Sequence, residues 1–364
     1  MARTYAIRER RGGVWGFLSF LTSGVILLAV IALVAIFAFL AEANRAGPSP
    51  DGMTLVVDHG ASVSEIGQAL ESQHQIRSAQ YFRIAAQWVY GRGHPLKAGE
   101  YAIPAHASIR SIVQMMVEGE TVQHPLTIPE GFTSQMVMEV IAASPFLTGP
   151  MPAQMPVEGS ILPETYQIER GMTRTDLVQQ MQADQEKALE EIWAHRAPNL
   201  PITTPEQAVI LASIVERETG VASERPRVAA VFVNRLRIHM ALQSDPTIIY
   251  GICQRFPARC HNGRLVDERT GEPRVIRQSE IALDTPYNTY KIQGLPPGPI
   301  CNPGRASLEA VVNPPDTDDL YFVADGTGGH AFAATVAEHN ANVAHWRQIE
   351  HQRLTQEAAN SRRH

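Results

Sequence analysis

Cysteine is scarce in this chain: three in 364 residues, at positions 253, 260 and 301, with no C-x-x-C pair among them. That pattern excludes a thiolate zinc site. An excess of positive charge is also missing. The formal net charge is −6, whereas phosphate binding needs a positive surface. With no finger-like Cys/His array and no aromatic RNA-binding motif either, no nucleic-acid partner is expected. The glycine-rich run from Tyr321 to His330 lacks the lysine of a phosphate-binding loop and the helix such a loop opens. His330 and His339 have no acid or cysteine at helical ligand spacing beside them, so neither a metal nor a cofactor is expected.

Charge is absent altogether from residues 14–41, whose centre reads VILLAVIALVAIFAFL. A membrane-spanning helix needs about 20 apolar residues, and this run suffices even when tilted. A cleaved signal peptide has a shorter apolar core, roughly 7–15 residues, although Ala41-Glu42-Ala43 mimics a cleavage site. A buried soluble helix of this length would carry a polar residue on some face. The reading is therefore an uncleaved anchor over residues 15–40. Arg3, Arg8, Arg10 and Arg11 precede it, and only Glu42 and Arg45 follow closely. The positive-inside rule then leaves residues 1–14 in the cytoplasm and sends the bulk of the chain across the membrane. Export suits the cysteines: CQRFPARC, closed by Cys253 and Cys260, could form a small disulfide in an oxidising compartment. Free or buried thiols remain the alternative.

Beyond the anchor the composition, 44% hydrophobic and 19% charged, is that of a folded protein with room for two or three domains. After a turn-rich linker at 47–52, a local grammar repeats. A short apolar strand (55–57, 101–103, 126–128) runs into a turn, and Ser62, Ser108 or Thr133 then stands where a helix N-cap belongs. Another helix over 79–90 separates the first two units. A Pro/Met-rich segment covers 151–163, a helix runs from 175 to about 194, and a Pro-bounded break spans 195–201. The tail from His351 is polar and is expected to fray.

The chemistry concentrates on the next helix. Thr204 suits its N-cap, Pro205 the first turn, and Gln207 a capping box. The segment continues AVILASIVERET and stops at Gly220. It is apolar almost all round and should be buried, which conflicts with two glutamates at its end. Glu216 and Glu218 lie about 200° apart around the helix and cannot face each other. Glu218 falls on the bulkier stripe, with Gln207, Ile210, Leu211 and Ile214; Glu216 lies over Pro205, Val209, Ala212 and Ser213. An apolar surround and the negative end of the helix dipole both disfavour a carboxylate, so Glu218 is the candidate general acid. Pairing with Arg217, Arg225 or Arg227 is the structural alternative.

LASIVERETGVASERPRVAAVFVNRLR, LQSDPTIIYG, TPYNTYKIQGLPPGPICNPG and YFVADGTGGHAFAATVAEHN resemble the endolytic murein transglycosylase family (MltG, or YceG-like) in order, from about 51 to about 346. The resemblance implies an α+β protein. Its parts are a single transmembrane helix, a small LysM-like module over 51–122, a connecting subdomain over 123–200, a catalytic domain over 201–346 and a polar tail over 347–364. It also implies an inner-membrane, single-pass protein with its catalytic domain in the periplasm. The second glutamate of the family's E-x-E-T pattern maps onto Glu218, with Thr219 beside it. The implied reaction cuts the β-1,4 bond between N-acetylmuramic acid and N-acetylglucosamine and leaves a 1,6-anhydro end. Peptidoglycan glycan strands are the implied partner, and peptidoglycan synthases a further one. Glu216, Thr219, Gln243, Asp245, Tyr250, Tyr287, Asn288, Tyr290 and His330 are expected to line the substrate groove. Tyrosines stack on sugar rings and amides bond N-acetyl groups. Asp245 before Pro246 is also a turn or helix cap, or a second acid for hydrolysis. A hydrolytic muramidase and a non-catalytic wall-binding scaffold are the rival functions. Departures from the family fall in the loop 253–260, the insert 261–277 and Cys301.

Overall fold

The computed structural model describes residues 13–90 and 93–361. Arg3, Arg8, Arg10 and Arg11, on which the orientation argument rests, lie outside the described residues. The first helix, α1 (Gly13–Asn44), has a mean hydropathy of 3.1 over its most apolar window, none of it buried in the protein. Its described apolar stretch, Phe17–Asn44, is 28 residues long, enough to cross a bilayer with some tilt. An exposed surface of this kind in water would be costly, and lipid removes the cost. The helix is fit to serve as a single-pass membrane anchor.

The chain divides into two compact units. The first takes in the residues up to 123 together with 169–171. In it β1 (Met53–Val57) pairs antiparallel with β2 (Gly99–Ile103), Leu55 opposite Tyr101. Between the strands come α2 (Val63–Ser72) and α3 (Ala79–Ile84), and α4 (Ile109–Glu118) follows. The expected single helix over 79–90 is instead α3 continued by a π-turn at Ala85–Val89. Ser62 makes a full capping box with Glu65, and Ser108 caps α4 through the Ser111 amide. Leu70, Phe82, Tyr101, Ile112 and Met116 fill the core.

The second unit holds the remaining residues from 124 onward. The pair β3 (Gln123–Thr127) and β4 (Thr165–Glu169), α5 (Ser134–Ala143) and α6 (Arg174–Ala194) enclose one core around Ile141, Ile168 and Met181. The larger core is helical. It packs α7 (Pro205–Glu218), α8 (Arg225–Arg237) and α11 (Arg305–Val312) around Leu211, Ile214, Phe232 and Val311. Beside it α9 (Asp245–Arg255) carries the small hairpin β5 (Cys260–His261) and β6 (Arg264–Leu265), joined to it by the Cys253–Cys260 disulfide; α10 (Gln278–Ile281) follows. The hairpin β7 (Tyr321–Ala324) and β8 (His330–Ala333) precedes α12 (Val336–Ser361). The expected fraying from His351 gives way to helix as far as Ser361. Ala, Gln, Glu and Arg there favour helix, and no Gly or Pro interrupts.

Candidate active site

Helix α7 starts as the sequence dictates. Thr204 accepts from the Gln207 amide and Pro205 occupies the first turn. The capping box is different from that expected: the Gln207 side chain accepts from the Thr203 amide at 2.7 Å rather than from Thr204. Residues 211–215 are fully enclosed, and the helix ends on Glu218 itself, with Thr219 as C-cap. Three charged residues therefore stand in a row at the end of a buried helix, and each has a different environment.

Glu216 has a buried side chain, only 4% exposed. It pairs with Arg225 at 3.0 Å and accepts from the Gly304 amide at 3.0 Å. The small residues below Glu216 let α11 and the Gly304 turn close over it. Glu216 is thus engaged in holding the framework. Arg225 also reaches Glu130 at 2.7 Å, and Arg227 is held by Asp319. None of the three arginines that might have neutralised Glu218 forms an ion pair with it among the described residues.

Glu218 instead accepts one hydrogen bond, from the Ser244 hydroxyl at 2.8 Å. As a residue Glu218 is only part-buried. Burial nevertheless raises its pKa to about 7, reinforced by Asp245 and opposed by the Ser244 bond, His330 and Arg235. Ser244 is the N-cap of α9, yet its hydroxyl makes no cap bond. A cap is worth about 1 kcal/mol, and the fold forgoes it to orient the glutamate. Thr289 fixes Ser244 in turn, accepting from its amide at 3.0 Å. Replacing Ser244 with alanine removes an interaction that lowers the Glu218 pKa. The alkaline limb of the pH–rate profile is expected to move up, with kcat falling about tenfold; steady-state rates from pH 5 to 9 check both.

Around this pair the structure gathers several of the expected residues. Asp245 opens α9 and accepts from the Tyr290 hydroxyl at 2.8 Å. His330, at the start of β8, contacts Glu224 through Nδ1 at 2.7 Å and donates its amide to the same carboxylate at 2.8 Å. Thr219 is buried, its hydroxyl meeting Glu224 at 3.4 Å. It is Ser244, not Thr219, that supplies the hydroxyl on Glu218. Gln243 is exposed, with a left-handed φ of 51°, and donates its amide to the Thr289 carbonyl. Asn288 is turned inward: it donates to the Ile281 and Leu283 carbonyls and accepts from the Tyr290 amide, so it shapes the loop that presents Tyr290.

Tyr250 and Tyr287 form a separate, edge-on aromatic pair, centroids 4.8 Å apart. The Tyr250 hydroxyl donates to Glu158 at 3.3 Å. Glu158 also accepts from the Ser134 amide at 2.8 Å, and burial pushes its carboxyl above the usual carboxylate range. A cavity of about 230 Å³ opens there, lined by Glu158, Tyr250, Arg217, Gln135, Gln254 and Asn262 among others; Glu218 does not line it. Sequence reasoning missed Ser244, Glu158, Arg235, Glu224 and Thr289. Ser244 lies between two residues singled out above, whereas Glu158 lies in a Pro/Met-rich segment with no periodicity. Among the described residues no cluster of three acids, histidines or cysteines could hold a metal.

Fold and site together define an α+β chain with a membrane-compatible helix and one hydroxyl-bonded glutamic acid at the end of a buried helix. The chain belongs to the YceG-like family, whose model matches residues 55–345. An endolytic murein transglycosylase of Streptococcus pneumoniae serotype 2 is 28% identical to it, over 90% of this chain and 65% of that protein. The endolytic murein transglycosylase of Bacillus subtilis (strain 168) is 27% identical, over 78% of this chain and 82% of that protein. The chain thus spans about two-thirds of the pneumococcal relative's length, 65%. A crystal structure of a yceG-like protein from Listeria monocytogenes aligns with 80% of this chain and 99% of its own, at 27% identity and a TM-score of 0.46.

Proposed function

We propose that this protein is an endolytic peptidoglycan lytic transglycosylase with Glu218 as its single acid and base. The observation that carries the reading is a carboxyl that accepts, among the described residues, one hydrogen bond, from a neutral hydroxyl, and whose pKa of about 7 leaves much of it protonated near neutral pH. Glu218 donates its proton to the glycosidic oxygen between N-acetylmuramic acid and N-acetylglucosamine. The C1–O bond breaks, leaving an oxocarbenium-like centre and a neutral 4-hydroxyl on the departing sugar. The resulting carboxylate takes the proton of the muramoyl C6 hydroxyl as that oxygen bonds to C1. Glu218 ends protonated again, the new end is a 1,6-anhydro ring, and no water is consumed. Tyr290, Asp245 and His330 border the reacting carboxyl and would contact the sugars. The names carried by the pneumococcal and Bacillus relatives support the same substrate.

One observation favours hydrolysis as a second reading. Asp245 is close enough to raise the Glu218 pKa, and a second carboxylate is what a water-using muramidase needs. The two readings differ by one water in the mass of the product.

The order strand–helix–helix–strand with β1 antiparallel to β2 supports a LysM-like first unit. With α1 in the inner membrane and the N-terminus in the cytoplasm, both units would be periplasmic and confined to strands being polymerised near the bilayer. Peptidoglycan synthases are the natural neighbours there. The pH dependence tests the acid role. A carboxyl raised to about 7 is protonated below that value, so cleavage of purified glycan strands should be maximal below pH 7 and fall tenfold per pH unit well above it. A rate that rises from pH 6 to pH 9 would sink the assignment.

A further inference from the structure

Of the three charged residues that end α7, Glu216 serves the framework and Glu218 the chemistry. Arg217 has neither duty. Its guanidinium donates to the Gly131 and Gly263 carbonyls at 3.3 and 3.4 Å, long bonds to neutral acceptors. No ion pair among the described residues includes it. The carboxylates at the same helix end are matched elsewhere: Glu130 and Glu216 to Arg225, Glu224 to His330. A half-buried cation without a counter-charge is costly, and Arg217 faces the cavity of about 230 Å³ already described.

The lining indicates what fills that space. Its volume is below the roughly 300–1,000 Å³ of drug-sized sites, enough for one residue-sized group rather than a run of sugars. Gln135, Gln254 and Asn262 offer amide groups, and Tyr250 an aromatic face. The oxygens of Glu158 are already taken by Ser134, Asn302 and Tyr250. Glu139, bonded by Gln135, stands at the exposed rim, where water screens it. Burial favours the neutral form of Glu158, and Arg217 is the one cation among the lining residues. The walls are held by the Cys253–Cys260 disulfide, which ties the end of α9 to the hairpin that carries Asn262 and Gly263. The demand is for a carboxylate joined to an amide, which is the chemistry of a peptide.

Resting on the reading of the chain as a peptidoglycan-cleaving enzyme, we propose that this cavity seats a carboxylate of the peptide stem carried by the muramoyl sugar. Arg217 and Glu218 are consecutive on one helix, so their side chains diverge by about 100° from neighbouring backbone positions. A sugar at Glu218 and its own side arm at Arg217 are thereby addressed by one helix end. A guanidinium fork suits a carboxylate bidentately.

Two measurements on the full chain in detergent test this. The first is calorimetric binding of the isolated stem peptide with free carboxylates, against the same peptide with its carboxylates amidated. The free form should bind roughly tenfold more tightly, the factor expected for one charge-assisted pair, and Arg217→Gln should abolish the difference. Equal affinity of the two forms for the wild-type protein, or no binding of either, overturns the inference without reference to any variant's folding. The second is cleavage of glycan chains with their stems against chains stripped of them by an amidase. The wild type should cut the stem-bearing chains about tenfold faster, and the ratio should fall towards one in Arg217→Gln. Equal wild-type rates refute the stem site and leave the glycan-cleaving function standing. Failure to cut either substrate removes the functional reading beneath it.

Discussion

Glu218→Gln is expected to lose cleavage of peptidoglycan by about 10³-fold or more while the protein becomes more stable. The amide keeps the shape and can still accept from Ser244, but it has no proton to give to the glycosidic oxygen and cannot take one back from the C6 hydroxyl. The stability gain follows from the sign of the pKa shift. A glutamic acid whose folded pKa, about 7, exceeds its unfolded value of 4.5 contributes stability that is fully present below pH 4.5 and lost as pH rises through 7. At pH 8 the wild type therefore holds an unfavourably buried carboxylate, and the neutral glutamine relieves a burden of about 1–3 kcal/mol. Thermal unfolding of both proteins at pH 5 and pH 8 should show the two nearly equal at the acid end and the variant higher at the alkaline end. Such opposition between activity and stability is expected where a group is desolvated for chemistry.

The second large effect concerns stability alone. Arg225→Met leaves Glu216 with one backbone amide as its only partner among the described residues, in a position where 4% of the side chain reaches solvent. Breaking a buried pair on one side costs about 3–5 kcal/mol because the surviving charge stays buried. For a unit of this size that is a fall of roughly 10 °C in the unfolding midpoint. Glu130 contributes little to the loss, being 39% exposed. Adding Glu216→Gln to Arg225→Met should restore much of the stability, since the pair then disappears together. A double variant no more stable than Arg225→Met would show that Glu216 is not the residue Arg225 neutralises. The buried Nε of Arg225 has no hydrogen-bond partner among the described residues. The side chain is held by charge at one end only, so Arg225→Lys, which keeps the charge, should recover part of the loss.

Much of this fold is legible in local sequence, and the reason is that helix starts are local. Ser62, Ser108, Thr133 and Thr204 all cap where the sequence places them, because a hydroxyl and an amide three residues on are neighbours in any helix start. The membrane-length helix is equally legible from its run of apolar residues. The site is legible only in part. Glu218 stands out through position at a helix end and family resemblance. Its partner Ser244 and the clamp on Glu216 depend on which segments fold over α7, and a helical wheel holds no such information. The wheel places Glu218 on a bulky apolar stripe, in keeping with the burial that raises its pKa, but says nothing of the arginine and the backbone amide that hold Glu216. Asn288 shows the same limit: its residue type suits sugar recognition, yet its amide is spent on the Ile281 and Leu283 carbonyls. Glu158 was invisible because no periodicity surrounds it, and only the fold brings it to Tyr250.

The Cys253–Cys260 disulfide sits beside the cavity, which both of its cysteines line. Glu218, the proposed acid, ends a helix that packs in the core of α7, α8 and α11. A rigid helix end for chemistry with loops for recognition is the arrangement expected of enzymes generally.

Mass spectrometry of the fragments released from purified sacculi tests the central claim most directly. Wild-type protein should release fragments ending in 1,6-anhydro-muramoyl groups, one water lighter than reducing ends, and Glu218→Gln should release none. Reducing ends would contradict water-free transglycosylation, and unaltered release by Glu218→Gln would contradict the role of Glu218 itself.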